Sequence, residues 1–162
     1  MLKYTTTEVT FREIPDEITL CINISGCPIH CPDCHSKELW QDIGEILYPD
    51  TLLRLIEENK GITCVCFMGG DSDINELIKL TTLIKNTYGE DLAVAWYSGQ
   101  NKIYNIFDYV KIGSYKKECG SLDVPTTNQR LFKSNFNEIN NDLFWCWEDI
   151  TYKFWRNDTN SN

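Results

Sequence analysis

Three cysteines, Cys27, Cys31 and Cys34, crowd the stretch SGCPIHCPDCHS at residues 25–36. Thiols packed this closely serve metal ligation, disulfide bonding or redox chemistry, and their spacing discriminates among the three. A structural zinc site is closed by four ligands, usually in two separated pairs. The pattern C-x3-C-x2-C is instead one contiguous triplet. Zinc would have to recruit His30 or His35 from inside the same loop, and a non-catalytic zinc-binding interaction module stands as the alternative from another class. Ferredoxin-type loops supply four thiolates per cluster, so that every iron is coordinatively closed. Three thiolates around four irons would leave one iron open to an exogenous ligand, which is what catalysis requires and electron storage does not.

Other polar segments carry groups suited to a ligand. In Met68-Gly69-Gly70-Asp71 the glycines permit close backbone approach and the carboxylate suits an ammonium group. The same residues also fit a turn and helix cap. Tyr97-Ser98-Gly99 closes an apolar run, and KIGSY at 111–115 closes another, with Lys111 read as a solvated cation. Cys21, Cys64, Cys66, Cys119 and Cys146 read as small buried hydrophobes.

The elements that must position these groups follow from hydropathy. ITLCINI (18–24), ITCVCFMGG (62–70), LAVAWYSG (92–99) and YVKIGSY (109–115) are apolar, β-branched runs ending at turn residues and read as strands. PDTLLRLIEENKG (49–61) and DINELIKLTTLIKNTYG (73–89) have helical periodicity, with Pro at one start and Asp73 and Glu76 at capping-box spacing at the other. A short helix is expected around NKIYNIF, and LFWCWEDITYKF (143–154) reads as a terminal strand or strand pair. Repeated βα order predicts an α/β fold, a mostly parallel sheet with the functional loops at the carboxyl ends of its strands. A complete eight-fold barrel needs about 250 residues, so this chain is expected to form an open, partial (βα) barrel.

Composition narrows the functional class. With 162 residues, 42% hydrophobic, the chain reads as a single domain over 1–156 with a frayed tail at 157–162. A formal net charge of -9 would repel a phosphate backbone, so nucleic acid is not an expected partner. No apolar run is long enough for a membrane span and no secretory pattern opens the chain. A cytoplasmic location is expected, where thiols stay reduced and a tight cysteine cluster favours metal over disulfides.

Cys27-x3-Cys31-x2-Cys34 after a first strand, followed by βα repeats, resembles the signature of the radical S-adenosylmethionine family. From PDEITLCINISGCPIHCPDCHS through MGGD and YSG to TTNQR at 126–130, the chain is similar to the small glycyl-radical activases within it. The resemblance implies a barrel of radical S-adenosylmethionine type and one 4Fe-4S cluster on Cys27, Cys31 and Cys34. The fourth iron would be chelated by S-adenosylmethionine. It further implies an oxidoreductase that cleaves this cofactor reductively and generates a glycyl radical on an anaerobic (class III) ribonucleoside-triphosphate reductase. A reduced flavodoxin- or ferredoxin-type protein would donate the electron. Another glycyl-radical enzyme or a small-molecule substrate is the alternative within the same chemistry.

Carried onto these residues, Gly69, Gly70 and Asp71 would receive the amino end of the methionine moiety, with Asp71 in place of the family's Glu. Tyr97 and Ser98 would line the cofactor pocket. Many members have an aromatic residue near the adenine where this chain has Asp33; His35, beside Cys34, would pack against or hydrogen-bond the nucleoside. Asn128, Gln129 and Arg130 would order the last strand or help receive the reductase's glycine loop.

Overall fold

The protein is described from a computed structural model, over residues 1–139 and 142–155. The expected tail at 157–162, and with it the end of the expected domain, lies outside the described residues. Eight strands form one sheet: β1 Lys3–Thr10, β2 Thr19–Ile24, β3 Glu45–Ile46, β4 Cys64–Met68, β5 Ala93–Tyr97, β6 Tyr109–Ile112, β7 Arg130–Ile139 and β8 Asp142–Asp149. Two α-helices accompany them, α1 Pro49–Glu58 and α2 Ile74–Tyr88.

The sheet order is β3-β1-β2-β4-β5-β6-β7-β8. Only the run β2, β4, β5, β6 is parallel; β1, β3, β7 and β8 pair antiparallel. This overturns the expected mostly parallel, open (βα) barrel of radical S-adenosylmethionine type: the described residues form an eight-stranded mixed sheet with two α-helices. Three local causes account for the difference. The threonine-rich segment after Leu2 is β-branched and extended, and it pairs back onto β2. Residues 101–108 form no helix, because Tyr104 and Phe107 are turned onto the Trp96 ring at 5.6 and 5.4 Å. Beyond β6 the chain continues as the β7–β8 hairpin, and no third α-helix follows among the described residues.

The parallel strands are central and buried on both faces, which is why they read as continuous apolar runs. Alternation sorts their side chains. Leu20, Ile22, Val65, Phe67, Val94, Trp96 and Val110 pack against Leu52, Leu55 and Ile56 of α1 and Leu77, Leu80 and Ile84 of α2. Cys21, Cys64, Cys66, Ala95, Tyr97 and Tyr109 point to the other face, where Ile14 and Ile150 close a second core. Among the described residues, that face carries no α-helix. It is covered by the segment after β1 and by a short 3-10 turn, Thr151–Phe154, which are tied together by the Lys153–Asp16 ion pair.

α1 starts with Pro at its first helical position, where the missing N–H costs nothing. The Asp73 carboxylate accepts the Glu76 backbone N–H at 3.1 Å and caps α2. Near the other end of α2, Lys85 binds the Asp108 carboxylate at 2.9 Å. No helix among the described residues is long and apolar enough to cross a membrane.

Candidate functional site

Parallel register brings four residues into one row at the carboxyl ends of the central strands: Asn23, Met68, Tyr97 and Lys111 are successive partners across β2, β4, β5 and β6. All four line a cavity of about 300 Å³, and the loops that leave these strand ends form its walls. The endings SGC, MGGD and YSG therefore meet at one sheet edge, as the order of elements predicted.

Cys27, Cys31 and Cys34 all face this cavity as free, half-buried thiols. Gly26 enters the loop at φ +72°, a region open to glycine at little cost. Gly26 N–H and Cys27 N–H then donate to the Gln41 and Leu39 carbonyls at 3.0 and 2.9 Å, closing the base of the loop. Cys34 N–H donates to the Cys31 carbonyl at 3.0 Å, which fixes the second pair of thiols within a turn. His30 takes φ +49° and stacks on Trp40 at 4.8 Å.

The donor set suits thiolate ligation of a cluster. Backbone N–H groups of Ile29 and His30 bond the Cys27 sulfur, and Ser36 N–H donates to Cys34 Sγ at 3.4 Å. Burial pushes the Cys27 thiol up, and those two amide bonds oppose it by favouring the thiolate. Such hydrogen bonds are among the features that tune iron–sulfur centres. Among the described residues, no three His, Cys, Asp or Glu side chains converge on the position of a single ion. Thiolates that bind separate irons of one cluster have no need to.

Asp71 lies in the wall facing the cysteine loop. One carboxylate oxygen accepts from Ser98 Oγ and the other from Gly99 N–H at 3.2 Å, so the end of β4 is stitched to the end of β5. A carboxylate has about four lone-pair sites, and two acceptor positions remain for a ligand. Gly69 lines the cavity at φ +107°, and a Cβ there would meet the Ile24 carbonyl oxygen at 3.0 Å. Gly70 is buried away from the cavity, against Leu77.

Tyr97 contributes its ring to the cavity while its hydroxyl donates to the Glu13 carbonyl on the second face. Ser98 is buried and lines the wall. His35 lines it too, edge-on to Tyr115 at 5.1 Å. Asp33 stands apart, on an adjoining depression shared with Lys37 and Lys117.

Lys111 corrects an expectation. It is half-buried in the cavity wall and not solvated, with Nζ donating to the Ser98 and Gly113 carbonyls at 3.3 and 3.1 Å. Burial lowers its pKa to about 8, opposed first by Asp71 and then by the three loop cysteines. Gln129, also in the wall, donates to the same Gly113 carbonyl at 3.1 Å, and Asn128 donates to the Ser114 carbonyl at 2.8 Å. Arg130 bonds the Thr127 and Gln129 carbonyls and approaches Asp149 at 3.6 Å. The TTNQR segment thus braces the turn after β6. Sequence reasoning passed over Asn23 and Trp40 and gave Met68 no role beyond opening the Gly-Gly-Asp segment; all three are in the wall. Asn23 and Met68 could have been found as the last inward-facing positions of β2 and β4.

Residues 18–112 match the model of a family described as the 4Fe-4S single cluster domain. The match begins just before β2 and ends with β6, so it holds the cysteine loop and all four parallel strands. No curated protein and no solved structure matches the chain.

Proposed function

The chain belongs to the family of 4Fe-4S single cluster domains, and from that premise we propose that Cys27, Cys31 and Cys34 hold the cluster beside a site for S-adenosylmethionine, making the protein a radical-generating oxidoreductase. One observation carries this reading: three thiols and no fourth share a cavity with a carboxylate already oriented by two donors. At about 300 Å³ the cavity lies at the lower end of small-molecule sites.

Held by Cys27, Cys31 and Cys34, such a cluster would supply one electron to the sulfonium of S-adenosylmethionine, and the chemistry so provided would be removal of a hydrogen atom from a glycine of a partner protein. The chain's own residues bind and orient. Asp71, held by Ser98 and Gly99, receives the ammonium group; Gly69 lets the ligand approach backbone; His35 packs beside the nucleoside. Asp33, on the adjoining depression, shapes the loop that presents Cys34.

The proposed protein substrate is an anaerobic ribonucleoside-triphosphate reductase, with a reduced flavodoxin- or ferredoxin-type donor. Support for the reductase comes from the sequence resemblance, which runs through to TTNQR, and from the position of Gln129 in the cavity wall. Anaerobic reconstitution with iron and sulfide tests the reading. A brown protein that yields 5'-deoxyadenosine and methionine under reduction is expected, and Cys31→Ala should lose cluster and cleavage together. A colourless protein holding stoichiometric zinc, with no cleavage, would sink it.

A further inference from the structure

Resting on the assignment of Cys27, Cys31 and Cys34 as cluster ligands, we infer that Lys111 is the half-buried counter-charge of the cluster site and raises its reduction potential. The geometry is specific. Lys111 is the terminal member of the row Asn23, Met68, Tyr97, Lys111, on the same face of the sheet as the thiol-lined cavity. Its Nζ lies over the Tyr97 ring, 5.9 Å from the ring centre. Nζ is anchored by two carbonyls, Ser98 and Gly113, and both of these residues also line the cavity. No ion pair is made by Lys111 among the described residues.

A lysine used only as a staple would find the same carbonyl partners anywhere on the surface. Here it faces four groups that carry negative charge when the site is loaded: Asp71 and the three thiolates. In a half-buried setting, charges interact far more strongly than in bulk water. When an external one-electron reductant delivers its electron, the site gains one negative charge with no bond made or broken. A fixed cation nearby stabilises that reduced form relative to the oxidised one. Burial, charge and hydrogen bonds to the sulfurs are the levers by which a protein sets such potentials.

The test is a dithionite titration, followed by electron paramagnetic resonance, of the reconstituted chain with Lys111→Met and Lys111→Arg beside it. Lys111→Met should need a more reducing potential by about a tenfold change in the reduction equilibrium, or about 59 mV for one electron. Lys111→Arg, which keeps the charge, should stay near the parent. An unchanged potential in folded, cluster-loaded Lys111→Met overturns the inference. So does an equal fall in both variants, since packing and not charge would then be responsible. Should Lys111→Met fail to fold, Lys111→Gln takes its place under the same criteria. If the parent itself takes up no cluster, or takes one up equally well without Cys27, Cys31 and Cys34, the ligand assignment fails and the role of Lys111 falls with it, whereas an unchanged potential in a cluster held by these cysteines sinks the role of Lys111 alone.

Discussion

At the scale of single residues, the cysteine loop packs closely over Gly99. A Cβ on Gly99 would meet Ile29 Cγ1 at 2.7 Å and Ile29 Cβ at 3.2 Å, so the loop between Cys27 and Cys31 can lie where it does only because residue 99 has no side chain. Gly99→Ala imposes overpacking of roughly 1–3 kcal/mol, which the loop relieves by moving. The expected outcome is a folded protein with reduced iron uptake on reconstitution, restored by adding Ile29→Ala, as read from iron content and circular dichroism. Ser98→Ala removes a hydrogen bond to the Asp71 carboxylate and should cost about 1.5–3 kcal/mol in chemical denaturation. That Cys27, Cys31, Cys34, Gly69 and Asp71 belong to one cavity wall was legible because their spacing is local to a few residues, whereas Gly70 packs away from it against Leu77. Lys111 was not legible, since a lysine at a strand end looks the same whether it meets water or faces a cavity, and only register across four strands decides.

At the scale of elements, local signals were faithful where the element makes its own case. β2, β4, β5 and β6 and both helices lie inside the ranges their hydropathy marked out. The capping pair at the start of α2 gives a direct check. Asp73→Ala should destabilise the protein by about 1 kcal/mol, measured by urea denaturation. The Asp73 carboxyl is held below its ordinary value of 3.8, first by the Glu76 backbone N–H. Its contribution is therefore present above about pH 4 and is lost as pH falls through the lower folded value. β1 and β7 were missed because both depend on a neighbour. β1 is mostly threonine and charge, and it becomes a strand by pairing with β2; β7 does so between β6 and β8. The helix expected around NKIYNIF failed for the converse reason, because its rings are claimed by Trp96.

For the molecule as a whole, the two faces of the sheet have different chemistry. The helical face is hydrocarbon, while the other holds Cys21, Cys64, Cys66, Tyr97 and Tyr109 in a dry core. Burial, the largest cause in each case, pushes the Cys64, Cys66 and Tyr97 acids well above their ordinary values. The folded chain keeps these protons where the unfolded chain would release them. Stability is accordingly complete below about pH 9, the ordinary thiol value of 9.0, and declines as pH rises beyond it. Urea midpoints at about pH 8 and about pH 10 should show the loss. Thiol-specific alkylation of the native protein should spare Cys21, Cys64 and Cys66 until it unfolds.

The lid on that second face is assembled from segments far apart in the chain, Ile14 with its neighbours and the turn at 151–154. The inner thiols are therefore sealed only when two segments distant along the chain have come together, a non-local closure of the kind that slows folding.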